Sequence, residues 1–192
     1  MTLTDKLRAI FGDLLNSISA FLLKIGLTAD TITIIGMAGN CLAGYFLAIG
    51  EVRMGGWLVL LIGPLDALDG SLARLGGNPK PFGALLDSLA DRVSEIAIMA
   101  GLLIHFLNQN HSYGAILVFA ALTGSLLVSY VRARAQALGC DPKLGILTRV
   151  ERYLVTSLSL ILMQPIIGLW ILAILTYVTV FQRVWFAWKE LH

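Results

Sequence analysis

Four aspartates form two closely spaced pairs in an otherwise apolar part of the chain. Asp66 and Asp69 are three residues apart, and Asp87 and Asp91 are four residues apart. Either spacing places both carboxylates of a pair on one face of a helix. Because charged residues are costly beside a bilayer and rare there without a function, we interpret the two pairs as a functional site.

The four carboxylates predict a metal site. Each pair lies at the end of a hydrophobic segment, and the two segments form a predicted antiparallel hairpin, so the pairs converge. Four negative charges so close would repel one another, and divalent cations remove that repulsion. Oxygen ligands favour Mg²⁺ or Mn²⁺, which commonly bind substrate phosphates as well. Two such ions would bridge a diphosphate and stabilise charge during phosphoryl transfer.

The residues between the two pairs indicate what the site binds. Gly70, Ala73 and Gly83 leave room for a flat base or for a close backbone approach. Arg74, one turn after Gly70, can reach a phosphate as a bidentate donor. The alternative is that the small residues only allow close helix packing, which would be the better explanation for any one of them alone.

Three arginines form a second candidate site. Arg132, Arg152 and Arg183 lie at the same predicted membrane depth on three different helices, so together they could bind a phosphate on a second substrate. Equally, arginines at cytoplasmic helix ends bind anionic lipid headgroups and set topology. Both alternatives stay open. Glu95 extends the Asp87–Asp91 face by one turn and either supports the site or pairs with an arginine.

The composition identifies a membrane protein. Of 192 residues, 57% are hydrophobic and 14% are charged, and the mean hydropathy is +0.82. A soluble domain of this length cannot bury so much apolar surface. A net charge of +2 gives no support for a nucleic-acid partner. Two cysteines supply neither a disulfide framework nor a metal-binding spacing.

The elements that must position these residues are helices. We predict an all-α membrane protein in which residues 1–28 form an amphipathic helix on the membrane surface and residues 29–192 form one six-helix domain. The six apolar segments are each close to the about 20 residues that cross a bilayer. We place them at residues 30–49, 54–75, 82–107, 113–138, 149–164 and 166–188.

The distribution of lysine and arginine predicts the orientation. With six spans, nearly all of these residues fall on one side of the membrane, and only Arg53 falls on the other. The positive-inside rule then places both termini and the aspartates at the cytoplasmic face of the membrane, which we take to be a prokaryotic cell membrane.

The string from Asp66 to Asp91 resembles the signature of the CDP-alcohol phosphotransferases, D-x2-D-G-x2-A-R-x8-G-x3-D-x3-D, at every fixed position. The resemblance implies a homodimeric six-helix membrane enzyme with a dinuclear Mg²⁺ or Mn²⁺ site, which uses an alcohol to displace CMP from a CDP-linked lipid. It implies that Asp66, Asp69, Asp87 and Asp91 hold the metals and that Asp91 is also the general base.

The same resemblance implies a binding site for the CDP-lipid. Residues 28–33 are similar to the family's T-P-N-x-x-T entry to the first span, although here alanine and aspartate replace the proline and asparagine. Lys80 lies in the loop that closes near the diphosphate. The implied CDP-lipid site comprises Ala29, Asp30, Thr31, Ile32, Thr33, Gly70, Ala73, Arg74, Lys80 and Gly83.

Residues 84–92, 130–135 and 149–152 resemble the phosphatidylinositol-phosphate synthases within that family. This implies transfer of a phosphatidyl group from CDP-diacylglycerol to inositol 1-phosphate, whose phosphate would be held by Arg132, Arg152 and Arg183. One alternative is a phosphatidylglycerophosphate synthase that uses glycerol 3-phosphate, although such enzymes usually have proline and lysine in place of Ser88 and Arg92. An alternative of another class is a divalent-cation channel or carrier.

Overall fold

The computed structural model describes residues 3–77, 81–142 and 144–191, with side chains from residue 12 onward. Within these ranges the regular secondary structure is entirely α-helical, which confirms the predicted all-α class. The helices are α1 (Leu3–Lys24), α2 (Ala29–Ala48), α3 (Val52–Leu75), α4 (Pro81–Asn108), α5 (Ser112–Ala137), α6 (Arg149–Ile161) and α7 (Pro165–Leu191).

Three of the described helices, α2, α5 and α7, are long and apolar enough to cross a membrane. Helices α3 and α4 are equally long, but the aspartate pairs lie within them and lower their hydropathy. Helix α6 has 13 residues and ends at Ile161 rather than at residue 164, because Met163 has a left-handed φ of 57°. Membrane crossing by α3, α4 and α6, and the position of α1 on a membrane surface, stay predictions.

The start of α2 is fixed by a local cap. Gly26 takes a left-handed φ of 83°, which ends α1 and turns the chain. Thr28 then accepts a hydrogen bond from the Thr31 backbone N–H at 3.3 Å, as an N-cap threonine does. The cap sets the first turn of α2, and this turn carries Thr33 toward the aspartates of α3.

Helices α2 and α4 approach each other closely where two glycines meet. A Cβ on Gly101 would lie within 3.0 Å of the Gly44 backbone, and a Cβ on Gly44 would collide with the Ala97 carbonyl. Small residues allow such backbone contact between helices in an apolar environment. The crossing holds α2 beside the α3–α4 hairpin, so the ends of all three helices converge on one region.

The main core is formed by all the helices from α2 to α7, and contacts between helices place the α3–α4 hairpin within the bundle. Helix α3 packs against α2, α6 and α1, and α5 packs against α4 and α7. A single cluster of buried residues connects α2 through α7; its largest fully buried members include Leu47, Val59, Leu102, Val118, Leu160 and Leu169. Close van der Waals packing, rather than removal of apolar surface from water, holds helices together in a membrane, so this cluster fixes the helix ends on which the candidate site lies.

Candidate active site

Three of the four aspartates come together at the end of the α3–α4 hairpin. One carboxylate oxygen from each of Asp66, Asp69 and Asp87 lies within 4.8 Å of the others. Asp66 and Asp69 share a face of α3, and Asp87 lies on the first part of α4, as the helical spacing predicts. Three carboxylates at this separation are a suitable donor set for a divalent cation that prefers oxygen ligands. We refer to these residues and Asp91 as the acidic centre.

Asp69 is oriented by a residue of another helix. Its side chain is buried, and Oδ2 accepts a hydrogen bond of 2.7 Å from the Thr33 hydroxyl on α2. A hydrogen bond to a ligand carboxylate fixes the direction of its free lone pairs and strengthens metal binding. Thr33, expected from the family resemblance to bind the CDP-lipid, thus contacts a candidate metal ligand directly.

Asp91 is paired with arginines. Arg149, the first residue of α6, donates to Asp91 Oδ1 and also lies 2.7 Å from Asp66 Oδ1. Arg92 Nη2 lies 3.5 Å from Asp91 Oδ2. The guanidinium of Arg149 therefore bridges the two aspartate pairs and supplies positive charge within the acidic centre. A nearby positive charge favours the ionised form of a carboxylate, whereas burial opposes it.

A cavity of about 720 Å³ opens beside the acidic centre. Its polar end is lined by all four aspartates with Gly70, Arg74 and Arg149, and its apolar walls come mainly from α1, α2, α3 and α6. The large apolar residues on these walls are Leu14, Leu15, Ile18, Ile32, Met37, Leu60, Ile62, Leu65, Leu68, Val150 and Leu154. This volume is within the usual range for small-molecule sites, and the change from charged to apolar walls suits an amphipathic ligand.

The predicted CDP-lipid residues fall into different environments. Thr31 contributes to the cap of α2, whereas Ile32 is buried among Leu68 and Leu72 and also borders the cavity. Asp30 lies beside Gly83, because a Cβ on that glycine would be 3.1 Å from Asp30 Oδ1. The starts of α2 and α4 are therefore adjacent, as a shared site requires. Ala29 packs against the same small core as Ile32, and Lys80 lies outside the described residues.

Gly70 and Arg74 lie next to each other on the cavity wall. A Cβ on Gly70 would be 3.5 Å from Arg74 Nη1, so the arginine side chain folds back over the glycine. Ala73, the next small residue of the motif, is half-buried on the same helix. The guanidinium is thereby directed to the polar end of the cavity, where a phosphate group would find a bidentate donor.

The three arginines expected to bind a second phosphate form what we call the arginine pocket: Arg132, Arg152 and Arg183. Arg152 and Arg183 are buried, each 5% exposed, whereas the Arg132 side chain is 44% exposed. Arg132 and Arg152 are both close enough to exert electrostatic repulsion on Arg183. The structure therefore brings together three side chains that are far apart in sequence.

Neutral carbonyls hold Arg183. Arg183 Nη1 donates to the Val128 carbonyl at 2.7 Å, and its Nε donates to the Leu144 carbonyl at 3.0 Å. These acceptors fix the guanidinium without neutralising its charge. Arg132, at the edge of the pocket, lies 3.4 Å from Asp141. A buried guanidinium held in this way is prepared to bind an anion.

Glu95 joins the two sites. It accepts hydrogen bonds from Ser125 of α5 and, at 3.4 Å, from Arg152 Nε of α6. Of the two roles considered from the sequence, the structure shows pairing with an arginine. Because Glu95 lies one turn after Asp91 on α4, it ties the position of Arg152 to the helix that carries the candidate base.

Sequence reasoning did not assign Arg149 or Tyr153 to the site. Arg149 lies one helical turn before Arg152, and that spacing alone indicates a shared helix face. Tyr153 borders the 720 Å³ cavity and donates a hydrogen bond to the Val59 carbonyl of α3. No sequence pattern connects Tyr153 to α3, so this contact could be found only from the structure.

The fold and the site together define a helical membrane protein with a candidate divalent-metal site beside an amphipathic cavity. The sequence profile of the CDP-alcohol phosphatidyltransferases matches residues 26–185. This chain belongs to that family. Membership identifies it as an enzyme, so of the alternatives raised by the sequence the divalent-cation channel or carrier is set aside.

The most informative relatives are named for inositol phosphate lipids. The chain is 35% identical to the archaetidylinositol phosphate synthase of Pyrococcus horikoshii over 97% of each protein. It is 34% identical to the phosphatidylinositol phosphate synthase of Mycobacteroides abscessus over 92% of this chain and 84% of the relative.

A solved structure confirms the fold over nearly the whole chain. The phosphatidylinositol phosphate synthase of Mycobacterium tuberculosis with CDP-DAG bound superposes with a TM-score of 0.85 at 29% identity, covering 92% of this chain and 94% of the other. A second structure of that synthase is a complex with manganese and citrate and has the same TM-score and identity, covering 91% and 89%.

Proposed function

We propose that this enzyme transfers a phosphatidyl group from CDP-diacylglycerol to inositol 1-phosphate and releases CMP. The observation that carries the proposal is the arginine pocket beside the acidic centre, with Arg152 and Arg183 both buried. Arg152 is paired with Glu95, whereas Arg183 is held by neutral carbonyls. A buried cation is costly unless an anion compensates it, so the pocket suits an acceptor that bears its own phosphate. The relatives named above support the same choice, since both names contain an inositol phosphate headgroup.

The 720 Å³ cavity is the proposed site of the CDP-lipid. Its apolar walls would hold the first part of the lipid chains, and its polar end, with Gly70 and Arg74, would hold the diphosphate and nucleotide. The first turn of α2, residues 29–33, and the Asp30–Gly83 contact would complete the nucleotide side. The bound CDP-DAG in the mycobacterial synthase supports a donor of this kind.

The proposed reaction begins at Asp91. Its carboxylate takes the proton from the acceptor hydroxyl, and the oxygen attacks the lipid-bearing phosphorus. A new P–O bond forms to the acceptor, the P–O bond to CMP breaks, and CMP leaves with the electron pair. Asp66, Asp69 and Asp87 would hold two divalent ions together with Asp91, and when bound these ions supply charge stabilisation for the diphosphate. The manganese complex of the mycobacterial synthase supports this assignment.

Arg149 has a distinct proposed role. Its guanidinium contacts Asp66 and Asp91, while Arg152, one turn later, belongs to the arginine pocket. This places Arg149 between the carboxylates that would bind metal and the side chains that would bind the acceptor phosphate. We assign it to hold the start of α6 in register with the acidic centre, so that the acceptor hydroxyl meets Asp91.

An acceptor panel tests the proposal. Purified enzyme in detergent or vesicles receives CDP-diacylglycerol and Mn²⁺ with inositol 1-phosphate, glycerol 3-phosphate or unphosphorylated inositol, and CMP release is measured. We expect release with inositol 1-phosphate. Release with glycerol 3-phosphate but not inositol 1-phosphate would instead establish the phosphatidylglycerophosphate alternative. A parallel assay with an ether-linked CDP-lipid reports which lipid backbone the enzyme accepts, since one relative is named for an archaetidyl lipid and the other for a phosphatidyl lipid.

Six membrane spans, a cytoplasmic site with both termini on that side, and a homodimer complete the proposal. The excess of lysine and arginine on one side of the predicted bundle supports the orientation. Reporter fusions at the C-terminus and in the loop between α4 and α5 would report opposite sides of the membrane if it is correct. The dimer rests on the family resemblance, and cross-linking in vesicles tests it.

A further inference from the structure

Helix α3 contains an interrupted turn just before the first aspartate pair. Pro64 lies inside the helix and has no backbone N–H, so the carbonyl of Leu60 lacks its usual donor. In a regular helix the Gly63 N–H would bond to the Val59 carbonyl. The Tyr153 hydroxyl of α6 also donates to that carbonyl, so this side chain bonds directly to the backbone of the turn.

The glycine of this turn is what admits the tyrosine. A Cβ on Gly63 would lie no more than 3.0 Å from three atoms of the Tyr153 ring. The ring therefore rests directly on the α3 backbone. A side chain inserted into a helical ladder is one of the physical causes of a local bend, and this one adjoins a proline, which is another.

Tyr153 also lies where the two halves of the site meet. It borders the 720 Å³ cavity that contains the acidic centre. It also borders a smaller cavity of about 60 Å³ that is lined by Asp91, Glu95 and Arg152. The next turn of α3 carries Asp66, and the preceding turn of α6 carries Arg149, which is bonded to that aspartate.

We propose that Tyr153, seated on Gly63 and bonded to the turn of α3 before Pro64, is a positioning residue that sets the spacing between the metal-binding aspartates and the arginine pocket. The expected effect on turnover rests on the proposed function. Its structural part does not depend on which acceptor is used. Because the two substrates must meet within a fraction of an ångström, a small shift of α3 against α6 lowers the rate even when both substrates still bind.

The test removes only the hydroxyl, in Tyr153→Phe. We expect kcat to fall about tenfold with little change in KM for CDP-diacylglycerol, and Mn²⁺ binding, measured by electron paramagnetic resonance, to weaken about tenfold because Asp66 loses its fixed position. Tyr177→Phe is the matched control, since Tyr177 bonds to Thr123 between α5 and α7. Unchanged kcat and Mn²⁺ affinity in Tyr153→Phe, or equal losses in the control, would overturn the proposal.

A second pair of variants tests the contact itself. Gly63→Ala should reproduce the loss, although alanine is the better helix former, because its methyl group displaces the Tyr153 ring. In a Tyr153→Ala background the same change should cost nothing further. An equal cost in both backgrounds would show that the glycine acts independently of the tyrosine. Mn²⁺ affinity is read without any acceptor, so this result stands even if the acceptor panel rejects inositol 1-phosphate.

Discussion

The acidic centre and the arginine pocket are neighbours in space, but they are built in different ways. All four aspartates come from one hairpin, residues 66–91 of α3 and α4. The arginine pocket takes one side chain from each of α5, α6 and α7. Arg183 is fixed by the carbonyls of Leu144 and Val128, and the other two arginines pair with carboxylates. One site is local in sequence, and the other exists only after the helices have packed.

This difference corresponds to a difference in function. In the proposed reaction, displacement of CMP needs metal ligands and a base at short, fixed spacings. The hairpin supplies these, with support from Thr33 of α2 and Arg149 of α6. In the proposed function, the choice of acceptor depends on where three helix ends meet, so it can change without disturbing the hairpin. Glu95 and Arg149 connect the two sites. Glu95 of α4 pairs with Arg152 of α6, and Arg149 of α6 pairs with Asp91 of α4.

The largest expected effect lies in the acidic centre. Asp91→Asn keeps the size of the side chain but removes the proposed base, so kcat should fall by about 10²- to 10⁴-fold with every acceptor. CMP release under saturating substrates measures it. Asp13→Asn, an exposed position on α1, serves as control. If Asp91→Asn kept normal turnover, Asp91 would not be the base, and the comparison between the two sites would lose its chemical meaning.

A smaller effect is expected from the residue that orients Asp69. Thr33→Val preserves shape but removes the 2.7 Å hydrogen bond to the buried carboxylate. We expect Mn²⁺ affinity to fall about tenfold, because a ligand that loses its supporting hydrogen bond is less well oriented. Calorimetric titration of the metal measures this directly. Thr123→Val removes a comparable hydroxyl between α5 and α7, and an equal loss there would show a general effect on packing.

The arginine pocket should respond in KM instead. Arg132→Gln removes one charge from the pocket while leaving the two buried arginines in place, so KM for inositol 1-phosphate should rise about tenfold. This effect is at the lower end of the range for hydrogen bonds to charged groups, because Arg132 is partly exposed. KM for CDP-diacylglycerol should not change. Arg134→Gln, two residues along the same helix and exposed, is the matched control. Equal effects of both variants would indicate nonspecific attraction by surface charge.

The sequence was informative where structure is local. Helical spacing can be read directly from the sequence. It accounts for the helix positions, the convergence of the aspartates and the Gly70–Arg74 contact. The role of Arg149 was not assigned, because an arginine at a helix end is usually explained by topology. The Tyr153–Gly63 contact joins residues on two helices and has no periodicity to reveal it. Such contacts depend on how the helices pack, and the sequence pattern of a single helix does not predict that packing.

The smallest expected effect separates binding from folding at Gly70. The Cβ of Gly70→Ala would meet Arg74 Nη1 at 3.5 Å, an ordinary contact, so the fold has room for the methyl group. Alanine is also the better helix former, so thermal stability should be unchanged or higher by up to about 1 kcal/mol. If the glycine serves the nucleotide, KM for CDP-diacylglycerol should nevertheless rise severalfold while Mn²⁺ affinity stays constant. A variant with lower stability and unchanged KM would show that Gly70 serves helix packing. The signature would then contain fewer residues that bind the substrate than its spacing predicts.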